Sequence, residues 1–255
     1  MSDDTRIGGS SGKFPVTRWS AVLAARSGDP AERSRALEAI LAAYWKPIYK
    51  YIRLRFNKPN EDAKDLTQDF FARLIDKDTL ADFDPQKARL RTFLRVCVDH
   101  FVANTVKATH RQKRGGDAVH LSLDFPAAEA ELQRAKPALA VGASAESFDD
   151  FLEKEFIRSL FGLSVTALRE FCASRGKRVH FQLFELYDLA DDDSARAGYA
   201  DLAKKFDIAV TDVTNYLSFA RREFRRIALE NLREMTASEQ EFRREARALL
   251  GVEPE

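Results

Sequence analysis

The spacing of apolar residues is the feature that most restricts how this chain can fold. Apolar side chains recur every three or four residues through almost the whole sequence, and strand-like alternation is nearly absent. Because an α-helix turns once every 3.6 residues, such spacing places an apolar stripe along one side of each helix. Hydrophobic residues make up 45% of the 255 residues, which is enough to form packed cores. The sequence therefore predicts an all-α protein.

Changes in composition divide the chain into two small helical domains and a linker. Residues 1–13 are polar and rich in Gly and Ser, so we expect them to be disordered. Pro126, Pro137 and Gly142 lie in an Ala-rich stretch, which favours an extended or loosely helical connector. The predicted parts are residues 1–13 (disordered), 14–114 (first domain), 115–145 (flexible linker), 146–236 (second domain) and 237–255 (helical tail).

Capping residues and spacing predict individual helices. One begins near Asp29 and Pro30, because Asp is a favoured N-cap and Pro suits the first helical position, and Pro47 is a candidate kink. Ser238 and Glu241 form a capping box for the tail helix, which we expect to pack on the second domain. The other predicted helices cover residues 60–75, about 86 or 87 to 111, 146–174, 177–189 and three segments from 199 onward.

Cysteine usage and the N-terminal sequence indicate the compartment. Cys97 and Cys172 lie far apart in apolar helical stretches, as expected for free thiols in a reducing environment. The sequence lacks the apolar segment of a secretory signal at its start, and no run reaches the roughly 20 apolar residues of a membrane span. We therefore expect a cytoplasmic protein with no membrane partner.

A row of carboxylates marks the predicted helix over residues 60–75. Glu61, Asp65 and Asp69 follow one another at i,i+4 spacing, beside an apolar stripe. Like charges at this spacing repel, so a basic partner helix would stabilise the row; the alternative is a solvated acidic face. Thr67 is either a packing residue or a phosphorylation site. The apolar stripe consists of Ala63, Leu66 or Thr67, Phe70 and Leu74.

The next predicted helix has a strong local excess of positive charge, although the whole chain has 41 Lys and Arg against 40 Asp and Glu. Phosphates are the natural complement of such a helix, because each contact releases condensed counterions. Phe93, His100 and Phe101 are interleaved with the cations, and aromatic faces suit unpaired bases. The alternative is that Phe93 belongs to the core face, as we expect for Cys97 and Phe101. The cations are Lys87, Arg89, Arg91, Arg95, Lys107, Arg111, Lys113 and Arg114.

Residues 199–226 have the pattern of a helix-turn-helix, with a tight turn at 207–210 and Thr211 as the predicted N-cap of the second helix. Any helical hairpin can imitate this pattern. In a helix-turn-helix, the N-terminal residues of the second helix enter the major groove and later cations meet the backbone. The apolar positions are Leu202, Ala203, Phe206, Val213, Leu217, Ala220 and Phe224. The residues expected in the major groove are Thr211, Asp212, Thr214 and Asn215. The cations expected to contact the DNA backbone are Arg221, Arg222, Arg225 and Arg226.

These three elements, in this order, resemble the extracytoplasmic-function (ECF) sigma factors of the sigma-70 family over about residues 14–235. The matching motifs are FPVTRWS (14–20), AYWKPIYKYIR (43–53), DLTQDFF (65–71) and HRQKRGG (110–116). The resemblance implies a non-enzymatic protein, without a cofactor, that gives RNA polymerase its promoter specificity. It also implies a region 2 domain and a region 4 domain joined by a flexible linker. An anti-sigma factor is a further partner class.

The resemblance implies a role for each element. The acidic helix would dock on the clamp helices of the polymerase's largest subunit through Glu61, Asp62, Asp65, Gln68 and Asp69. The basic helix would read the minus-ten element, capture a flipped base and separate the strands at Phe93. Its implied DNA contacts are Arg89, Arg91, Phe93, Arg95, His100, Asn104, Lys107 and Arg111. The minus-thirty-five element would meet Thr211, Asp212, Thr214, Asn215, Arg221, Arg222 and Arg225.

The recognition helix departs from the family at two dipeptides. Val213-Thr214 and Phe219-Ala220 stand where relatives commonly have pairs that contain a cation. Val96 likewise stands where many relatives have an arginine. These departures predict a promoter preference or a minus-thirty-five affinity that differs from that of relatives.

Two other function classes compete with a sigma factor. A stand-alone helix-turn-helix regulator would bind duplex DNA without polymerase and would need neither the carboxylate row nor the basic aromatic helix. An enzyme is less favoured, because no nucleophile or carboxylate signature with glycine-rich turns is present. Cys97 and His100 share a helix face but supply only two ligands, so we expect no zinc site.

Overall fold

The computed structural model describes residue 25 and residues 29–76, 79–84, 87–109, 122–139, 145–190, 198–236 and 238–252. Several sequence predictions lie outside these residues. They are the disordered segment 1–13, the motif at 14–20, the motif at 110–116 with Arg111, and the ends of the linker at 115–121 and 140–144.

Within the described residues the secondary structure is helical throughout, so the all-α prediction is confirmed. A short 3-10 helix covers Thr79–Asp82. The α-helices are α1 (Pro30–Arg55), α2 (Asn60–Asp76), α3 (Leu90–Thr109), α4 (Phe125–Leu139), α5 (Ala145–Ser174), α6 (Arg178–Tyr187), α7 (Tyr199–Phe206), α8 (Val210–Glu234) and α9 (Glu239–Leu250).

Helix α1 begins as its sequence predicts. The side chain of Asp29 accepts a hydrogen bond from the backbone N–H of Ala31 at 2.9 Å, and Pro30 occupies the first turn. The helix continues through Pro47 to Arg55 as one element. Most side chains between Ala36 and Ile52 are buried, so α1 is the central helix of its unit.

Helix α3 begins later than predicted, at Leu90 instead of residue 86 or 87. The backbone N–H groups of Lys87 and Ala88 both donate to the carbonyl oxygen of Asp84, at 3.1 and 3.3 Å. Residues 87–89, which the spacing of apolar residues had assigned to the first turn of the helix, therefore lie before the helix. Arg89 therefore lies just before the helix.

The chain forms two compact units, and the first comprises Met1–Ser159 and Leu232–Glu255. Its core is built on α1, whose Tyr49 ring meets Phe125 of α4 edge-on at 5.2 Å. Trp45 contacts the same ring at 5.5 Å. The linker, predicted to be extended or loosely helical, therefore contains a regular helix that packs on α1.

The tail helix α9 is assigned to this first unit, and not to residues 160–231 as expected. Its predicted capping box is present, because the backbone N–H of Glu241 donates to Ser238 Oγ at 3.1 Å. Phe242 and Ala246 are buried on its inner face.

The second unit comprises Leu160–Asn231 and contains α6 and α7 with parts of α5 and α8. Leu168, Leu202 and Leu217 are fully buried in its core. Inside this core the amide of Asn231 donates to Ser164 Oγ at 3.0 Å. The second unit is a small helical bundle, as the spacing predicted.

Candidate functional site

The carboxylate row of α2 faces solvent. Asp62, Asp65 and Asp69 are exposed, and Glu61 forms a 2.8 Å ion pair with Lys64. Partial burial and the neighbouring Asp65 carboxylate raise the pKa of Asp69, which is the effect expected of repelling acids. Gln68 is half-buried at the edge of this face. The five residues implied as a docking site therefore share one helix, and its acids are accessible.

The opposite face of α2 is buried, as the periodicity predicted. Ala63, Phe70 and Leu74 are almost inaccessible to solvent. Thr67 has 0% exposure and donates from Oγ1 to the carbonyl oxygen of Ala63 at 2.6 Å. A phosphate at Thr67 would bury a charge among apolar side chains, so the packing interpretation holds in this structure.

The first cations of the basic helix are paired with carboxylates instead of facing solvent. Arg91 is only 8% exposed and donates to Glu245 and Glu153, each at 2.9 Å. Arg95 lies 3.0 Å from Asp149 and 3.2 Å from Asp99. Apart from Asp99, which is four residues from Arg95, sequence reasoning missed these partners, because helix periodicity does not reveal which acids from distant segments meet a basic helix.

Phe93 is half-buried, and its ring lies 5.2 Å from that of Phe83 at an angle of 52°. Phe101 is also half-buried and meets Phe70 edge-on at 5.8 Å, which fits its predicted core position. Burial raises the pKa of the Cys97 thiol to about 11, so this cysteine is not an activated nucleophile. Phe93 is thus anchored on one side and partly accessible on the other.

The C-terminal half of α3 holds the remaining predicted contacts. His100 and Asn104 are exposed. The backbone of Lys107 is helical, but its side chain lies outside the described residues, as does all of Arg111. In the C-terminal half of α3, the predicted DNA contacts whose side chains the structure describes, His100 and Asn104, are therefore both accessible.

Helices α7 and α8 form a helix-turn-helix. Asp207 closes α7 in the left-handed conformation, with φ of 53°, and the backbone N–H of Ile208 donates to the carbonyl of Ala203 at 3.0 Å. Helix α8 begins at Val210, where the Ala209 carbonyl accepts from Asp212 at 2.9 Å. The predicted N-cap was therefore wrong by two residues, and Thr211 lies within the first turn of α8.

The outer face of α8 carries the predicted groove residues. Thr211, Thr214 and Asn215 are exposed, and Asp212 is half-buried. Since Val213 and Leu217 are fully buried, the exposed positions are set by the same periodicity that anchors the helix.

The arginines of α8 that are predicted to contact the DNA backbone differ in their ion pairs. Arg221 forms two hydrogen bonds to Asp188, at 2.8 and 2.9 Å. Arg226 pairs with Glu223 and Glu230, and Arg222 lies 3.5 Å from Glu223. Arg225 is exposed and has no ion-pair partner among the described residues. Arg225 is therefore the cation best placed to meet a phosphate.

A cleft of about 410 Å³ in the second unit was not anticipated from the sequence. Cations cover its aromatic walls: the guanidinium of Arg175 lies 4.8 Å from the Phe171 ring, and Lys177 Nζ lies 4.3 Å from that of Phe219. Phe171 and Arg175 are only four residues apart, but Lys177 and Phe219 are 42 positions apart, so no local pattern indicates that the cleft forms. The cleft is lined by Phe171, Arg175, Lys177, Phe219, Glu223 and Arg226.

Two general findings concern only the residues that the structure describes. They contain no group of three or more His, Cys, Asp and Glu side chains that could hold a metal ion. Their helices also include none that is both long and apolar enough to cross a membrane.

Comparison with known protein families identifies the family of this chain. A family model described as ECF sigma factor matches residues 16–170, more than half of the chain. The chain belongs to the ECF sigma factor family. The match includes the acidic helix α2 and the basic helix α3, and it ends before the helix-turn-helix. No curated protein and no solved structure gives a significant match. The protein is accordingly a sigma factor, a DNA-binding protein of transcription initiation.

Proposed function

We propose that this sigma factor joins core RNA polymerase through the exposed acids of α2, which dock on basic clamp helices of the largest subunit. The supporting observation is the division of α2 into a fully buried face and an exposed acidic face. Partial burial, and then repulsion from the Asp65 carboxylate, raise the pKa of Asp69 and disfavour its charge in the free protein. A basic partner helix would relieve this repulsion and would gain steering at long range.

The N-terminal part of α3 and the preceding loop would hold the melted minus-ten element. Phe93 has one partly exposed side, which suits stacking against an unpaired base. His100 and Asn104 are exposed further along the helix, where they can reach bases or phosphates. No covalent catalysis is involved, since binding energy from polymerase and DNA offsets the cost of unstacking, a few kcal/mol per step.

The helix-turn-helix would read the minus-thirty-five element as duplex DNA. The exposed residues Thr214 and Asn215 near the start of α8 supply short polar side chains for base edges. Arg225 supplies a phosphate contact further along the same helix. This assignment rests on geometry alone, because the family match ends at residue 170.

Transcription in vitro with purified core polymerase tests the proposal. Asp65→Arg should prevent co-elution with core polymerase and abolish promoter-dependent transcripts, because it places a cation in the middle of the acidic row. Glu38→Arg is the matched control, since Glu38 is an exposed acid of α1 outside the row. Wild-type association of the Asp65 variant would contradict the docking surface.

The same experiment separates the proposal from a stand-alone helix-turn-helix regulator. Such a regulator would bind duplex DNA but would not co-elute with core polymerase, and Asp65→Arg would leave its DNA binding unchanged. A wild-type protein that neither joins core polymerase nor starts transcription from any template would contradict the proposed function as a whole.

A further inference from the structure

The carboxylate of Glu245, on the tail helix α9, lies against two cations of the proposed minus-ten site. Its Oε2 accepts a hydrogen bond from Arg91 Nη1 at 2.9 Å. Its Oε1 lies 3.2 Å from Arg89 Nε, without hydrogen-bond geometry. Glu245 is only 2% exposed, so this charge is withdrawn from water, and it is compensated by these two arginines and by Arg244, whose Nε lies 3.7 Å from Oε1.

Two further acids, from the first turns of α5, extend the same pattern. Glu153 accepts from Arg91 Nη2 at 2.9 Å and lies 3.7 Å from Arg89. Asp149 lies 3.0 Å from Arg95 Nε. Carboxylates thus surround three arginines that could otherwise bind phosphates, because both groups accept the charge-assisted hydrogen bonds of a guanidinium.

Helix α9 is capped at both ends, but few of its residues are buried against the rest of the first unit. Ser238 caps its start, and Gly251 closes its end in the left-handed conformation with φ of 63°. Its buried positions are only Glu241, Phe242, Glu245 and Ala246, and two of these are acids. Attachment therefore depends strongly on charge, and a polyanion that binds the same arginines can compete with it.

We infer that α9 is an intramolecular competitor of promoter DNA, which holds Arg89 and Arg91 through Glu245 until DNA displaces it. The inference rests on the proposed role of α3 in minus-ten binding. Promoter phosphates and Glu245 cannot occupy the same guanidinium edges together. Apparent DNA affinity is consequently reduced by the fraction of molecules in which α9 is attached.

The first test compares Glu245→Gln with the wild-type full-length chain. Glutamine keeps the size of the side chain but removes the charge that holds both arginines. Glu239→Gln is the matched control, because Glu239 lies on the outer side of α9 and pairs with Arg233 and Arg243. The probe is a labelled fork oligonucleotide with a single-stranded minus-ten segment, and anisotropy reports its binding.

Glu245→Gln should bind the fork about tenfold more tightly, as expected if α9 is attached in about nine molecules of ten. Its dependence of log affinity on log salt should steepen, because in the wild type salt also weakens the competing ion pairs of Glu245, and the variant lacks this compensation. Glu239→Gln should behave as wild type. Unchanged or weaker binding by a folded Glu245 variant would mean that the cluster is only structural and would overturn the inference.

A second measurement uses the wild-type protein alone and does not depend on the folding of a variant. Amide hydrogen exchange within residues 239–250 should become faster when the fork oligonucleotide is added, because DNA releases α9. Unchanged exchange at saturating oligonucleotide would overturn the inference while leaving minus-ten binding in place. Absence of fork binding by the holoenzyme would instead contradict the proposed function, so the two failures are distinguishable.

Discussion

The Nζ atom of Lys50 lies 2.5 Å from Oε2 of Glu155, and the two side chains are only 5% and 2% exposed. Lys50 also pairs with Glu131 at 2.8 Å, and Glu155 also pairs with Arg158. One ammonium on α1 therefore holds acids from both α4 and the N-terminal part of α5. This buried charge fixes α4, which lies inside the predicted linker, and α5, which follows it, to α1 at the centre of the first unit.

Replacement of Lys50 by methionine should lower the free energy of unfolding by about 3 kcal/mol, because it leaves the buried Glu155 carboxylate without its main partner. Denaturation in urea, followed by circular dichroism, measures this change. Lys154→Met is the matched control, since Lys154 is an exposed lysine of α5. A Lys50 variant as stable as this control would show that the ion pair contributes nothing to the fold.

Glu129 of α4 gives a prediction about pH. Hydrogen bonds from Arg53, and then from Tyr49 and Gln133, lower the pKa of Glu129 from 4.5 to about 2. A carboxyl whose pKa is lower in the folded state stabilises the fold above its unfolded pKa and loses this contribution as the pH falls. Glu129→Gln should therefore cost about 2 kcal/mol near neutral pH and progressively less between about pH 4.5 and about pH 2.

Urea denaturation of both proteins across this pH range provides the measurement. The wild type and Glu129→Gln should converge at low pH, because the protonated glutamate no longer pairs with Arg53. Glu38→Gln is the control, as Glu38 is an exposed acid of α1. A constant difference between wild type and Glu129→Gln at every pH would show that packing, and not charge, is what the substitution removes.

The linker shows where reading of the sequence fell short. Its alanines and prolines predicted an extended or loosely helical connector, yet residues 125–139 form the regular helix α4. Pro126 lies in the first turn of α4, where its missing N–H breaks no helical hydrogen bond. The Phe125 ring contacts Trp45 and Tyr49, and such contacts depend on partners about 80 residues away.

In helix α9, too, contacts between neighbouring residues were predictable from the sequence and contacts between distant residues were not. The capping box of Ser238 and Glu241 was predictable, because a cap involves residues only three positions apart. The docking of α9 was not, since Glu245 and Arg91 are 154 positions apart in the chain. For the same reason, the sequence did not indicate that the arginines proposed to contact the minus-ten element are paired with carboxylates.

Arg225 and Arg221 allow a matched test of the proposed minus-thirty-five contacts. Arg225→Ala should weaken binding to every duplex to a similar degree and reduce the salt slope by about 1, because it removes one phosphate contact. Arg221→Ala should change the salt slope less, since Arg221 is already engaged with Asp188. Equal slopes for wild type and Arg225→Ala, measured by anisotropy with duplex DNA, would contradict the phosphate contact.

Phe93 is the residue for which strand separation can be tested apart from binding. Its ring packs against that of Phe83, so a substitution by alanine removes an aromatic surface but leaves the acidic row of α2 intact. Phe93→Ala should reduce permanganate reactivity of promoter thymines about tenfold, because the unpaired base loses a stacking energy of about 1–3 kcal/mol. Val96→Ala is the control, as Val96 is 38% exposed on the same helix. Normal reactivity with normal core association would remove Phe93 from the melting step, whereas loss of core association would indicate a folding defect in the first unit.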